Sequence, residues 1–148
     1  DVDGVDLHLA DEIHVISPRA ICIEYCASAG ARESATVPYK QDFSRLEEHS
    51  SGFFCNASLK ATESVMKKKG YSFVGTVYGL NAFFIRNDCD FGSLKELTCE
   101  EGWEPHYDRT FARKISLQKQ FDEIKNCPWI YVNDSGFITN TKINLKQI

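Results

Sequence analysis

Three carboxylates stand out by type and position: Asp1, Asp3 and Glu24. Asp1 and Asp3 belong to the run Asp1-Val2-Asp3-Gly4-Val5, and Glu24 nearly closes the apolar run Ala20-Ile21-Cys22-Ile23-Glu24-Tyr25. Held in a cleft, a carboxylate can act as general base on an acceptor hydroxyl. Several together can hold Mg²⁺, which favours hard oxygen ligands. The same residues also have structural uses. Asp1 or Asp3 can cap a helix that starts near Val5, satisfying its free N–H groups. Glu24 can simply be hydrogen-bonded.

The other reactive side chains carry weaker signals. None of the six cysteines (Cys22, Cys26, Cys55, Cys89, Cys99 and Cys127) forms a CxxC pair. His8, His14, His49 and His106 fall at no zinc-like spacing from them, so reduced, structural thiols are expected and no metal site. No local Ser-His-Asp or Cys-His pairing is visible. Asn81, in a turn, suits positive φ. Ser58 and Lys60 belong to a helix start, and Phe53, Phe54, Phe83 and Phe84 read as packing. Asn56-Ala57-Ser58 and Asn133-Asp134-Ser135 fit the glycosylation triplet, which is common by chance.

These residues need elements to position them. Val5 to Val15 reads as a helix with Val5, Leu9 and Ile13 on one face, ended by Ser17-Pro18. Ala20 to Tyr25 reads as a strand buried on both faces, central in the intact domain with neighbours on both sides. Glu33 to Phe53 lacks periodicity and reads as a surface excursion. Ala57 to Lys69 is a helix with Asn56 as N-cap, Leu59, Ala61, Val65 and Met66 inward, and Gly70 just past its end. Tyr71 to Tyr78 and Ala82 to Arg86 are strands joined tightly through Gly79-Leu80-Asn81, hence an antiparallel hairpin. Asp88 to Asp108 is irregular, with Trp103 and Tyr107 against the core. Phe111 to Lys125 is a helix, and Trp129 to Val132 and Phe137 to Thr139 form a second hairpin.

Helices alternating with apolar strands imply a layered α/β sheet. At 148 residues the chain can bury a core. Its net charge of −4 has the wrong sign for a nucleic-acid binder. The basic run Lys67-Lys68-Lys69 suits a helix C-terminus. No apolar run approaches the ~20 residues of a membrane helix. With no signal peptide in view, a cytoplasmic location is expected.

Several segments together resemble FkbM-type, S-adenosylmethionine-dependent methyltransferases. Asp1-Val2-Asp3-Gly4-Val5-Asp6 resembles the family's Asp-Val-Glu-Gly segment, which closes the fourth strand and starts the next helix. Pro18 with Ala20 to Tyr25 resembles the following Pro-x-x-hydrophobic-Glu strand. Asn56-Ala57-Ser58-Leu59-Lys60-Ala61, Lys69-Gly70-Tyr71 and Asn81-Ala82-Phe83-Phe84-Ile85-Arg86 resemble the end of that domain. The resemblance covers residues 1 to 88, and residues 89 to 148 read as an α+β appendage of helix plus β-hairpin.

The resemblance implies a partial Rossmann-like methyltransferase sheet whose last strand runs antiparallel. In such a sheet Asp1, Asp3 and Glu24 would converge beyond the strand ends as catalytic residues. It also implies O-methyl transfer to a small-molecule or glycan-like acceptor, with no nucleic-acid or membrane partner. The family holds its cofactor through a glycine-rich loop and an acidic residue on earlier strands, and Gly75 and Gly79 supply no GxGxxG loop. The chain is therefore expected to be the C-terminal half of the domain, and by itself not to bind S-adenosylmethionine. Two other readings remain open. Asp1-Val2-Asp3-Gly4 also resembles the start of haloacid-dehalogenase-type phosphatases, with Asp88 and Asp90 as an acidic pair for Mg²⁺. A non-catalytic module that keeps the fold is the third.

Overall fold

The structure is a computed structural model, and it describes residues 2–148. The elements in chain order are α1 (Asp6–Glu12), β1 (Ala20–Glu24), a 3₁₀ turn (Ala27–Ala29), β2 (Ala35–Thr36), α2 (Arg45–Glu48) and α3 (Leu59–Lys68). There follow β3 (Tyr71–Val77), β4 (Asn81–Arg86), α4 (Cys99–Gly102), a π-helical turn (Asp108–Ala112), α5 (Leu117–Ile124), β5 (Trp129–Val132) and β6 (Ile138–Ile143). The class is α/β, with two small antiparallel sheets ordered β1-β4-β3 and β2-β5-β6.

The β3–β4 hairpin forms as its spacing predicts. Phe73 faces Phe84 across the ladder, their ring centroids 5.5 Å apart, and a bulge follows at Phe73/Gly75. The turn itself differs from expectation. Its positive-φ residues are Tyr78 (58°) and Gly79 (60°), with Leu80 N–H donating to Val77 O, while Asn81 already opens β4. Two successive positive φ values match the right-handed twist of the flanking strands, which is why this turn closes a hairpin. Gly79 also lies against another segment: a Cβ there would come within 2.3 Å of the Pro105 carbonyl.

β4 lies between β1 and β3 and is antiparallel to both, so β1 and β3 run the same way without touching. This corrects the expectation that Ala20 to Tyr25 is buried on both faces here; its second neighbour is expected in the intact domain. Among the described residues β1 has one strand partner, with Ile21 opposite Phe84 and Glu24 opposite Asn81. Only Ile23 of the strand is buried, and Cys22 is exposed. An unbroken apolar run does not by itself distinguish two buried faces from one.

Other expectations shift locally. α1 ends at Glu12, well before Pro18, and buries Leu7 while Leu9 and Ile13 are exposed. The N-cap of α3 is Ser58, whose Oγ accepts from Ala61 N–H, and not Asn56. Its inward face is the expected one: Leu59, Ala61, Val65 and Met66 are all fully buried. The excursion from Glu33 begins inside the protein, because Ala35, Thr36 and Val37 are buried and β2 pairs with β5. Of the two aromatics placed against the core, Trp103 packs there and Tyr107 is exposed. The last helix is shorter than expected, since Asp108–Ala112 is π-helical and α5 starts after Ser116, its N-cap.

The two sheets meet at Ala57, which bridges Tyr25 on one side and Thr36 on the other. One apolar cluster lies between α3 and the first sheet and includes Val132 of β5. The second joins Val5, Cys26, Val37 and Phe54 to Phe121, Ile124 and Trp129. Phe54 meets Trp129 edge-on at 4.8 Å. Residues 89–148 are thus packed into the same cores as residues 2–88. All six cysteines are free.

Candidate functional site

A cleft of about 480 Å³ opens at the C-terminal end of β1. Glu24 ends that strand, and the cleft is also lined by Asp3, Arg45, His106, Asp108, Arg109 and Arg113. Two of the three carboxylates singled out in the sequence, Asp3 and Glu24, therefore share one cavity. Asp1 lies outside the described residues.

Three segments build the cleft. The first is the turn into α1. Asp3 has φ 56°, and Asp6 accepts from the N–H groups of Val2 and Gly4, which holds the turn. The Phe43 ring lies on Gly4, where a Cβ would come within 2.1 Å. That close packing brings the 40s segment over the turn, and Arg45 Nη1 pairs with Asp3 Oδ1 at 3.3 Å. The N-cap position of α1 is Val5, which makes no side-chain cap hydrogen bond.

The second segment is the end of β1, where Asn56 fixes Glu24. Asn56 Nδ2 donates to Glu24 Oε2 at 3.1 Å. Asn56 is itself buried at φ 61°, its N–H donating to Gly4 O and its carbonyl accepting from Val37 N–H. It thus ties the α1 turn, β1 and the start of the 30s loop together. Asparagine is among the few residues that tolerate this backbone region. Burial, then the nearby negative charges of Asp6 and Asp3, raise the Glu24 carboxyl above its ordinary value, against the lowering effect of the Asn56 hydrogen bond and Arg45. A carboxylate tuned upward is a better proton acceptor when it ionises.

The third segment, Pro105 to Arg113, carries residues that no sequence pattern marked. Tyr107 N–H donates to Tyr78 O, which docks the segment on the β3–β4 turn. His106 is half-buried, and burial together with the charges of Arg109 and Arg113 holds its imidazole down at about 4. It is neutral near pH 7, with Nδ1 facing the Arg109 backbone N–H at 3.4 Å. Asp108 pairs with Arg113 at 2.8 Å.

Arg109 belongs to the same segment. It is 7 % exposed, with its guanidinium 4.6 Å from the Phe53 ring centroid. Nη1 donates to Ser28 Oγ at 3.1 Å, and Ser28 in turn donates to Gln120 Oε1 at 2.8 Å. Gln120 Nε2 then donates to Thr110 Oγ1 and Ile115 O. The buried chain Arg109–Ser28–Gln120 is hydrogen-bonded throughout and neutral beyond the guanidinium.

Asp88 and Asp90 do not join this site. They follow the far end of β4, where Asp88 pairs with Arg86 and Asp90 accepts from Gly92 N–H. The acidic pair of a phosphatase-like arrangement is therefore not assembled with Asp3. Among the described residues, no group of three or more His, Cys, Asp or Glu side chains has metal-holding geometry. No helix among the described residues is long and apolar enough to cross a membrane. No family model, curated protein or solved structure matches the chain.

Proposed function

We propose that the cleft is the acceptor side of an O-methyltransferase-like site, with Glu24 as the base that takes the proton of an acceptor hydroxyl. The observation that carries this reading is the setting of Glu24. It ends a strand, is oriented by a buried Asn56, is tuned upward, and faces a polar cleft. The family segment that Pro18 and Ala20 to Tyr25 resemble also carries a Glu at this strand end. An antiparallel last strand is also what a partial Rossmann-like sheet of that family would leave in view, and β4 runs antiparallel to both its neighbours.

The described residues do not fit S-adenosylmethionine itself. Gly75 lies within β3, and Gly79 is packed against the Pro105 carbonyl, so neither forms a loop that could cradle a ligand. The proposal is confined to the acceptor. Its hydroxyl would donate to Glu24, and the proton would pass to that carboxylate as the oxygen becomes nucleophilic. The acceptor class is a small molecule or glycan bearing that hydroxyl.

The test uses the protein encoded by the complete reading frame, labelled S-adenosylmethionine, and a panel of hydroxylated acceptors. Glu24→Gln keeps the Asn56 hydrogen bond and should lower methyl incorporation by about 10²-fold or more, with Tm retained. Undiminished incorporation would sink the role of Glu24. No incorporation by the wild type would favour the non-catalytic module instead.

A further inference from the structure

Arg109 is a buried cation. Among the described residues no carboxylate lies within ion-pairing distance of it, because Asp3 pairs with Arg45, Asp108 with Arg113, and Glu24 is held by Asn56. The groups that touch it include Ser28, the face of Phe53 and the side chain of Cys55. The thiols of Cys26 and Cys55 lie close enough to feel its charge. Burial pushes Cys26 up to about 12 and also raises Cys55, so both stay protonated and neutral. A buried charge is costly unless it is paired, and a guanidinium presents five donors in a planar fork. Here Nη1 of that fork is held by Ser28, which Gln120 braces, and Arg109 is among the residues that line the cleft.

We propose that Arg109 is the binding site for a carboxylate group of the ligand, so that the acceptor is a hydroxy acid, either free or as an acidic sugar. A carboxylate is favoured over a phosphate on charge. The cleft's three arginines, Arg45, Arg109 and Arg113, are already equalled in number by Asp3, Glu24 and Asp108, so a ligand group with one negative charge is tolerated better beside Arg109 than a dianion. The planar fork accepts a carboxylate through two parallel N–H···O bonds. Glu24 on the same cleft wall would then take the hydroxyl proton. This step deepens the acceptor-side reading and rests on it only for the word acceptor, since anion binding requires no transfer.

The experiment follows the side-chain Nε–Hε signals of the arginines in ¹⁵N-labelled protein at constant ionic strength. Sodium glycerate, glycerol, inorganic phosphate and sodium chloride are titrated in turn. The Arg109 signal should shift saturably with glycerate and not with glycerol or chloride. Arg109→Lys keeps the charge and loses the fork, and should weaken glycerate by about tenfold at unchanged Tm. The wild-type titration decides the matter even if that variant does not fold. No saturable shift with any anion overturns the proposal, and tighter binding of phosphate than glycerate overturns the assignment to a carboxylate. Glycerate bound by Glu24→Gln, in a protein whose methyl incorporation is lost, separates this site from the proton acceptor.

Discussion

Asn56 reaches Glu24 across thirty-two positions of sequence and holds its Oε2 at 3.1 Å, from a backbone conformation that few residues accept. Two features of one side chain are therefore separable by substitution. Asn56→Ala loses both the hydrogen bond and the tolerance for φ 61°, and should cost about 2 kcal/mol. Asn56→Gly loses only the hydrogen bond, and should cost about 1 kcal/mol less than the alanine. Urea unfolding of the two variants at one pH gives the difference. Equal stabilities would mean that the backbone at this position carries no strain.

His106 should make stability fall in mild acid. Its imidazole is held at about 4 in the folded protein against 6.5 when unfolded. Between these values the unfolded chain binds a proton that the folded chain refuses, so stability drops as pH falls from about 6.5 to about 4. The group is half-buried, and solvent screening limits its share to about 1 kcal/mol. His106→Asn should flatten the stability profile over that window and leave it unaltered above pH 7. A profile as steep as that of the wild type would place the imidazole's titration at its ordinary value.

Gly79 links the hairpin to the cleft. Any Cβ at its φ of 60° would meet the Pro105 carbonyl and His106 N within 2.5 Å, and backbone atoms cannot rotate aside. Gly79→Ala should cost at least about 2 kcal/mol, through strain and displacement of the 105–107 segment. Because that segment leads into Arg109, the variant should also disturb the arginine signals in the NMR spectrum. A Tm within a degree of wild type would show that the segment yields freely.

The readable parts of this protein are those with local repeats. Tyr71 to Tyr78 and Ala82 to Arg86 announce a hairpin because two β-rich runs flank a short glycine-containing link. Leu59, Ala61, Val65 and Met66 announce the buried face of α3. Glu24 was visible because it interrupts an apolar run at its end. The other half of the cleft had no such signal. β2 is two residues long, too short for any period. Arg109 sits in what reads as the approach to a helix, and its burial is created by Phe53, Ser28 and Gln120, each far away in sequence. Asn56 has the composition of a helix cap, and the true cap lies two residues later. Edge position and partner choice for β1 depend on which strands are present to pair, which its own residues do not encode.

The pairing of Ala35 with Tyr131 carries a consequence for how the chain acquires its structure. A ladder between such distant residues closes a very long loop, so it forms late and slowly compared with the β3–β4 hairpin. During synthesis, β2 and the apolar residues beside it, Val37 and Phe54, must wait uncovered until β5 has left the ribosome. Gln120, which braces Ser28 and through it Arg109, arrives in the same late stretch. The nascent chain can thus present Glu24 and its hairpin well before the buried cation opposite is fixed in place.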